Sequence, residues 1–263
     1  MHTDKTMPDH HGIALIIPAR NEALSLPKVL SMIPEKVTRV IVVDNGSTDN
    51  TRDVGQDHGA QVVFEPLTGY GNACLAGIAA LTDDPPGIVA FADGDGSDGV
   101  ENLEKLLQLI LSGNADLALA RRVPDVPQAM TLQQRFGNWL ATRLIHLFWG
   151  HNYHDLGPMR AISWSSLQKL HMTDRDFGWT VEMQIRALEA GLRVIEVPLP
   201  YHTRIAGESK VSRTLSGAVR AGTKILWVIG NPRKAIWMMD KAVSAGAPYA
   251  ENTAWTRSQL ALM

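Results

Sequence analysis

The chain has 263 residues, a hydrophobic fraction of 45% and a formal net charge of −2. This size fits one α/β domain with a tail, and the charge argues against bulk electrostatic binding to nucleic acid. The single cysteine, Cys74, excludes an internal disulfide and fits a reducing compartment. Residues 1–12 do not resemble a signal peptide. No stretch reaches the ~20 apolar residues that are needed to span a bilayer.

Short apolar runs alternate with segments of helical spacing through the first half of the chain. The runs are continuous, as in parallel strands that are covered on both faces. They predict strands at residues 13–17 (ended by Pro18), 39–43, 61–64, 88–92 and 116–120. Helices are predicted after Ser25, after residues 44–51, and over residues 72–81 and 100–111. The pattern indicates an open, mostly parallel α/β sheet flanked by helices.

The second half of the chain is less regular. Helices are predicted over residues 131–149 and 179–190, and a strand over 193–197, with loops at 151–160 and 201–210. Residues 215–229 and 232–243 are apolar and have helical spacing. The predicted division is a flexible N-terminus at 1–12, one α/β domain at 13–212, C-terminal helices at 213–243 and a tail at 244–263.

Five polar stretches directly follow predicted strands, at residues 18–22, 44–49, 69–72, 93–98 and 121–122. Ligands of open α/β sheets bind beyond the carboxyl ends of the strands. These stretches are therefore expected to line one edge of the sheet. Their convergence is stronger evidence for a ligand site than any one of them alone.

The acidic stretch at residues 93–98 is the strongest single motif. Asp93 and Asp95 end a buried strand, and their carboxylates suit a hard divalent cation that bridges to phosphate oxygens. An EF-hand calcium loop would need Gly where Asp98 stands, and a helix before the loop. A plain solvated acidic loop remains an alternative.

Several other residues have both a functional and an ordinary interpretation. Gly69 and Gly71 resemble the start of a dinucleotide fingerprint, but Cys74 replaces its third glycine, so we expect a turn near a ligand. Asp44 is either a helix cap or an acceptor for a base or ribose. Glu182 is either a general base or an exposed helix residue. Each of four arginines could be a plain surface charge: Arg121, Arg135, Arg160 and Arg204. Arg121 and Arg204 are favoured for phosphate binding, and Arg135 less so. The loop histidines His151 and His154 lack a third metal ligand.

Four segments together resemble the GT-A glycosyltransferases of family 2. They are PARNE at 18–22, VVDNGSTD at 42–49, DGD at 93–95 and RIAGESK at 204–210. The last segment is similar to the polyprenyl-phosphate branch, typified by dolichol-phosphate mannose synthase and dolichol-phosphate glucosyltransferase. The resemblance covers residues 13–229 and implies a GT-A fold with a helical C-terminal extension.

The resemblance implies a metal-dependent, inverting hexosyl transfer from a UDP- or GDP-linked sugar, most simply to a polyprenyl phosphate. It assigns a role to each motif residue in this chain. The nucleotide would be held by Pro18, Arg20, Glu22 and Asp44, with Gly71 close by. The Mg²⁺ or Mn²⁺ ion would be surrounded by Asp93, Asp95 and, by position, Ser97. The phosphates would be contacted by Arg121, Arg135 and Arg204, supported by Lys210. Mannose synthases often carry Gln at the Ser97 position.

The acceptor decides whether a base is needed. A phosphate acceptor is already anionic, whereas a hydroxyl acceptor requires a base, for which Glu182 is the first candidate. Unlike its membrane-bound relatives, the chain shows no transmembrane helix, so we expect a cytoplasmic protein that is peripheral on the inner membrane face. Residues 215–237 would lie on the membrane, pack on the sheet or form a homodimer. The alternatives are a soluble hydroxyl acceptor, a non-catalytic nucleotide-sugar-binding protein and, with less support, a nucleotidyltransferase.

Overall fold

The computed structural model describes residues 12–206, which form a seven-stranded sheet with helices on both faces. The strands are β1 (Ile13–Ala19), β2 (Arg39–Asp44), β3 (Gln61–Phe64), β4 (Ile88–Phe91), β5 (Leu117–Pro124), β6 (Arg160–Ser163) and β7 (Val194–Tyr201). The helices are α1 (Leu26–Ser31), α2 (Thr51–Asp57), α3 (Tyr70–Ala79), α4 (Leu103–Leu111), α5 (Leu132–Trp149), α6 (Trp164–Leu170) and α7 (Trp179–Glu189).

The strands lie in the order β3-β2-β1-β4-β6-β5-β7. Four neighbouring pairs are parallel, and β6 is antiparallel to both β4 and β5. The predicted mostly parallel α/β sheet is therefore confirmed. The insertion of β6 between β4 and β5 was not predicted, because residues 151–160 were expected to form a loop and nothing was assigned to the short strand after them.

The two faces of the sheet pack against separate apolar cores. Along β1, Ala14 and Ile16 belong to one core, and Leu15 and Ile17 belong to the other. The first core includes buried side chains of α3, α5, α6 and α7, and the second includes those of α1 and α4. Since every β1 side chain up to Ile17 is buried, the strand is apolar without alternation, as expected for a sheet covered on both sides.

Three strands, β1, β5 and β7, end two or more residues later than the sequence predicts. Strand β1 continues through Pro18, which pairs in register with Val43. Pairing with β4 ends at Ile16, so Pro18 has a strand neighbour on one side only and its missing N–H is tolerated. Strand β5 continues to Pro124 beside β7, so the two arginines at 121–122 lie within a strand and not after it.

Helix ends follow local chemistry. Thr131 caps α5 through a reciprocal capping box with Gln134. Helix α3 begins at Tyr70, two residues earlier than predicted, so Gly71 lies in its first turn. Helix α7 ends at Glu189, and Gly191 follows with a φ of 67°. The predicted C-terminal helices at 213–243, the tail, and residues 1–11 of the predicted N-terminal segment lie outside the described residues, so the proposed domain division stays a prediction.

Candidate active site

A cavity of about 460 Å³ opens at the carboxyl-end edge of the sheet. Each of the five predicted polar stretches contributes at least one lining residue to it. The lining includes Pro18, Arg20, Glu22, Asn45, Gly69, Tyr70, Asp93, Asp95, Arg122 and Arg204. The expectation that these loops meet at one edge therefore agrees with the geometry, and an open α/β sheet binds ligands at such an edge.

Arg204 joins two strand-end carboxylates at this cavity. It donates from Nη2 to Glu22 Oε1 at 2.6 Å, and its Nη1 lies 3.0 Å from Asp95 Oδ2. Ser25 holds the other oxygen of Glu22 at 2.9 Å and also donates to the carbonyl of Gly94 at 2.8 Å. The loops after β1 and β4 are thus tied together beneath a partly exposed guanidinium.

The acidic loop after β4 concentrates negative charge. Burial, followed by the charges of Asp98 and Asp95, raises the pKa of Asp93 well above its ordinary value, and Arg204 opposes that shift. Burial and then Asp95 raise the pKa of Asp98 to about 7. Asp98 accepts a hydrogen bond from the backbone N–H of Asp93 at 2.9 Å. Three carboxylates therefore share a space that favours the arrival of a cation.

Ser97 supports Asp95 and does not face the cavity. Its hydroxyl donates to Asp95 Oδ1 at 2.6 Å and lies 3.2 Å from the hydroxyl of Tyr201, and the side chain is buried. Its backbone N–H also donates to Asp95 Oδ1, at 2.8 Å. Ser97 is thus placed to orient the Asp95 carboxylate, and its role as a metal ligand stays a prediction.

Asp93 and Asp95 fit a divalent cation that is shared with a ligand. Asp93 Oδ1 is buried and makes no well-aligned hydrogen bond among the described residues, although the hydroxyl of Tyr70 interacts with the Asp93 carboxylate. Within residues 12–206, no group of three or more His, Cys, Asp or Glu side chains could hold a metal on its own. Magnesium is commonly held by one or two carboxylates together with substrate phosphates, so this pair suits a cation that arrives with a diphosphate.

Arg122, and not Arg121, lines the cavity. Asp155 accepts two hydrogen bonds from the Arg122 guanidinium, at 2.8 and 2.7 Å, and Tyr201 stacks against it at 5.2 Å. Although burial lowers it, the hydrogen bonds to Asp155 raise the pKa of Arg122 above its ordinary value. Arg122 is therefore a fixed cation, which corrects the choice of Arg121 made from the sequence.

A second cavity of about 400 Å³ adjoins the first and shares Arg122 with it. Arg135 lines this second cavity and donates to the carbonyl of Pro127 at 2.9 Å. His154 lines it too, with Nδ1 2.8 Å from Glu196 Oε2. Arg135 thus lies beyond Arg122 and does not line the first cavity.

The end of β2 forms the far side of the site. Asp44 is buried; it accepts from the N–H of Ser47 at 2.9 Å and pairs with Arg52 at 3.1 Å. The next residue, Asn45, lines the cavity and accepts from the N–H of Gly69 at 2.8 Å. Asp44 therefore shapes the loop, and its neighbour reaches the cavity.

Gly71 allows a close backbone contact behind the site. Its N–H donates to the carbonyl of Asp176 at 3.2 Å, and an added Cβ would collide with the backbone of Asp174 and Arg175. Gly71 does not line the cavity, whereas Phe177, at the end of the same loop, does. The glycine pattern thus reflects packing of α3 against the 174–177 loop.

Glu182 has a structural role. It is buried, and its carboxylate accepts from the N–H of Thr173 at 3.0 Å and of Asp174 at 2.7 Å. It also pairs with Arg186 at 2.6 Å. Glu182 does not line the cavity, and it is not the exposed helix residue that the sequence allowed: its side chain holds the loop before α7. Its role as a general base stays a prediction.

Arg160, which the sequence allows as a surface charge, lies instead inside the wall of the site. It is fully buried, and it donates to the carbonyls of Gly157 at 2.5 Å, Pro158 at 3.2 Å and Thr180 at 3.2 Å. Burial lowers the pKa of its guanidinium, and neighbouring groups, Asp155 among them, oppose that shift. Pro158 lines the cavity, so Arg160 fixes part of the wall. In the sequence, the signal for Arg160 is only that a charged residue begins a short apolar run. Lys210, predicted to support the phosphate contacts, lies outside the described residues.

Comparisons with known proteins agree with this geometry. Residues 14–170 match the family model described as glycosyl transferase family 2. A glycosyltransferase of Mycobacterium tuberculosis is 40% identical over 210 residues, which cover 80% of this chain and 94% of that protein. A dolichyl-phosphate hexose transferase of Haloferax volcanii is 33% identical over 221 residues, covering 82% and 92%. An undecaprenyl-phosphate mannosyltransferase of Micrococcus luteus is 29% identical over 219 residues, covering 78% and 89%.

A solved structure shares the fold. Glucosyl-3-phosphoglycerate synthase of Mycobacterium tuberculosis, in complex with Mn²⁺, UDP and its glucosylated product, superposes with a TM-score of 0.67. It is 20% identical, and the match covers 84% of this chain and 80% of that one. The predicted GT-A fold is therefore confirmed. Within the described part of the chain, no helix is both long and apolar enough to cross a membrane.

Proposed function

The chain belongs to glycosyl transferase family 2 and is a glycosyltransferase, and from that premise we propose that it moves a hexose from a UDP- or GDP-linked sugar to a polyprenyl phosphate. The observation that carries the proposal is that Asp93, Asp95 and Arg204 line one cavity, with Arg204 Nη1 3.0 Å from Asp95 Oδ2. The acceptor class rests on the similarity to the dolichyl-phosphate and undecaprenyl-phosphate enzymes.

The donor nucleotide would lie on the side of the cavity formed by β1 and β2. Pro18, Arg20 and Glu22 line that side, and Asn45 reaches it beside the buried Asp44. Amide and carbonyl groups there suit a base and ribose. The diphosphate would then extend toward the end of β4, where the cationic and acidic side chains meet.

Asp93 and Asp95 would hold Mg²⁺ or Mn²⁺ together with diphosphate oxygens. When bound, the cation supplies positive charge that stabilises the leaving nucleoside diphosphate. Arg204 pairs with Glu22 and Asp95 when no donor is bound. Once the donor binds, the guanidinium of Arg204 would also stabilise negative charge on the leaving diphosphate. Arg122, fixed by Asp155, presents a second cation to the same cavity.

The acceptor phosphate enters from the side of Arg122 and Arg135, with Lys210 as a predicted contributor. A phosphate oxygen forms the new bond to the anomeric carbon. The bond from that carbon to the donor diphosphate breaks, its electron pair leaves on the nucleoside diphosphate, and configuration is inverted. The phosphate is anionic at neutral pH, so no base is required. This agrees with the full engagement of Glu182 elsewhere.

Release of nucleoside diphosphate tests the proposal. The full chain is incubated with a panel of UDP- and GDP-sugars and Mn²⁺ or Mg²⁺, with and without a short-chain polyprenyl phosphate in detergent. We expect one donor to release its diphosphate only when the lipid phosphate is present, and EDTA to stop the release. Release that the lipid phosphate does not stimulate would reject the acceptor, and nucleotide binding without any release would reject turnover.

A pair of variants locates the chemistry. Asp95→Ala is expected to reduce turnover by at least ~10²-fold, because it removes a cation ligand and a partner of Arg204. Asp83→Ala makes the same change at an exposed aspartate that does not line the cavity and serves as the matched control. Full activity of Asp95→Ala would mean that the site is misplaced.

We also propose that the protein is a peripheral enzyme at the cytoplasmic surface of the membrane, where a nucleotide sugar can meet a lipid phosphate.

A further inference from the structure

Helix α5 has apolar residues on two opposite sides. Its inner side buries Ala141, Ile145 and Trp149 against the domain. Residues spaced by three or four positions form a second row on the opposite side. This row, here called the outer stripe, consists of Leu132 (80% exposed), Phe136 (62%), Trp139 (54%) and Leu147 (71%). It extends over four turns, roughly 22 Å. The rings of Phe136 and Trp139 lie 5.9 Å apart, so part of the stripe is already a continuous apolar surface.

The charges around the outer stripe are of one sign. Helix α5 contains Arg135, Arg143 and His146 and has no Asp or Glu, although the whole chain has a net charge of −2. All three basic residues are exposed, and by helical spacing Arg143 lies within the stripe. Exposed Leu, Phe and Trp flanked by basic residues are typical of a helix that lies in the plane of an anionic bilayer surface.

The position of α5 matches the entry of a lipid acceptor. Thr131, which caps the helix, and Gln134 in its first turn both line the first cavity. Arg135 and Asn138 line the second cavity. The helix therefore begins beside the proposed reaction site, and its outer stripe starts at the same end with Leu132. A membrane in contact with the stripe would lie next to both cavities.

Charge disfavours the other occupants that this chain could supply. Residues 207–243, which lie outside the described part, carry seven Lys or Arg and two Asp or Glu. That segment is basic like α5, so pairing the two would bring like charges together. A second copy of α5 would do the same. We propose that the outer stripe of α5 docks on an anionic lipid surface. The inference deepens the proposed function by naming the surface from which its acceptor comes, and in that respect it rests on the proposed function; the exposure and charge of the stripe support the docking separately.

Vesicle co-sedimentation of the full chain tests the docking. The vesicles are phosphatidylcholine with about 30% phosphatidylglycerol, and pure phosphatidylcholine for comparison. The test variant, Leu132→Gln/Leu147→Gln, removes two exposed leucines and keeps good helix formers. The matched control, Leu24→Gln/Leu67→Gln, removes two leucines of similar exposure (81% and 58%) outside α5. Circular dichroism and thermal melts confirm that all variants are folded.

We expect the wild type to bind the anionic vesicles, the α5 variant to bind about tenfold more weakly or worse, and the control to bind like the wild type. Arg143→Gln should weaken binding about fivefold on anionic vesicles, while Lys28→Gln on α1 should not. Absence of wild-type binding, or equal binding of the α5 variant, would overturn the proposal. So would a dimer that the α5 variant converts to a monomer, because a second copy would then cover the stripe.

This binding is measured without a donor, so it can be separated from turnover. Vesicle binding without transfer to a polyprenyl phosphate would leave the docking intact and reject the proposed acceptor. Transfer to a short-chain acceptor in detergent without vesicle binding would reject the docking and leave the proposed function intact.

Discussion

Asp98→Asn is expected to stabilise the protein, and to do so increasingly as the pH rises. Asp98 is buried and accepts one hydrogen bond from the N–H of Asp93, which an asparagine amide oxygen can accept equally well. The substitution therefore removes a charge and keeps the contact. Burial and the charge of Asp95 raise the pKa of Asp98 from 3.8 to about 7 in the folded protein.

The sign and size follow from linkage between protonation and folding. Between pH 4 and 7 the unfolded chain has lost the Asp98 proton and the folded chain retains it, so stability falls as the pH rises. Each pKa unit is worth about 1.4 kcal/mol, so the wild type loses up to about 4 kcal/mol by pH 8. The asparagine variant does not undergo this loss. Its advantage should begin near pH 4, grow to about 4 kcal/mol at most, and level off above pH 7.

Urea denaturation at pH 5, 6, 7 and 8, with EDTA present throughout, measures this difference. The exposed control Asp83→Asn should follow the wild type at every pH. An Asp98→Asn variant that is destabilised, or whose advantage does not change with pH, would refute the reasoning. Either result would mean that water or a neighbouring group already accommodates the Asp98 charge.

Three further substitutions separate structural from reactive roles. Glu182→Gln should lower the free energy of unfolding by about 2–3 kcal/mol, because it weakens the hydrogen bonds to Thr173. The kcat per folded molecule should stay within about twofold of the wild-type value. A loss of kcat of about 100-fold would instead support the role of Glu182 as a general base. Arg204→Met should reduce kcat by at least ~100-fold in the diphosphate-release assay, and unchanged kcat would remove it from the reaction. Gly71→Ala should lower the unfolding free energy by about 2–4 kcal/mol in urea titrations, because its Cβ would meet the Asp174 carbonyl, and a neutral result would show that this loop yields easily.

The edge on which the site lies could be predicted from the sequence. Apolar runs mark buried strands, and the carboxyl ends of parallel strands share one edge, so the polar residues that follow them must converge. Asp93, Asp95 and Arg204 are found together for that reason. The choice between Arg121 and Arg122 was different. Adjacent strand residues point to opposite faces, and a continuous apolar run carries no signal for which residue faces which side.

Residues whose role depends on distant segments could not be predicted. Glu182 is buried because the loop at 171–176 folds over the start of α7, and that loop has no periodicity to reveal its path. Ser97 turns toward Tyr201, which is 104 positions away in the chain. Arg160 is tolerated in the core because carbonyls from a turn and from α7 surround it. Each outcome is decided by packing between segments that are remote in sequence.

The buried guanidinium of Arg160 also restricts the motion of the cavity wall at Gly157 and Pro158. Its hydrogen bonds connect the turn at Gly157 and Pro158 to the first turn of α7. Opening that wall would strip a charged group of its partners in a region of low dielectric, so partial opening is costly and the wall should open only together with the core. In native-state hydrogen exchange, the amides of this wall should therefore exchange at the rate of global unfolding. Faster motions that admit substrates are then expected in other parts of the cavity lining, such as Gln128 and Thr203.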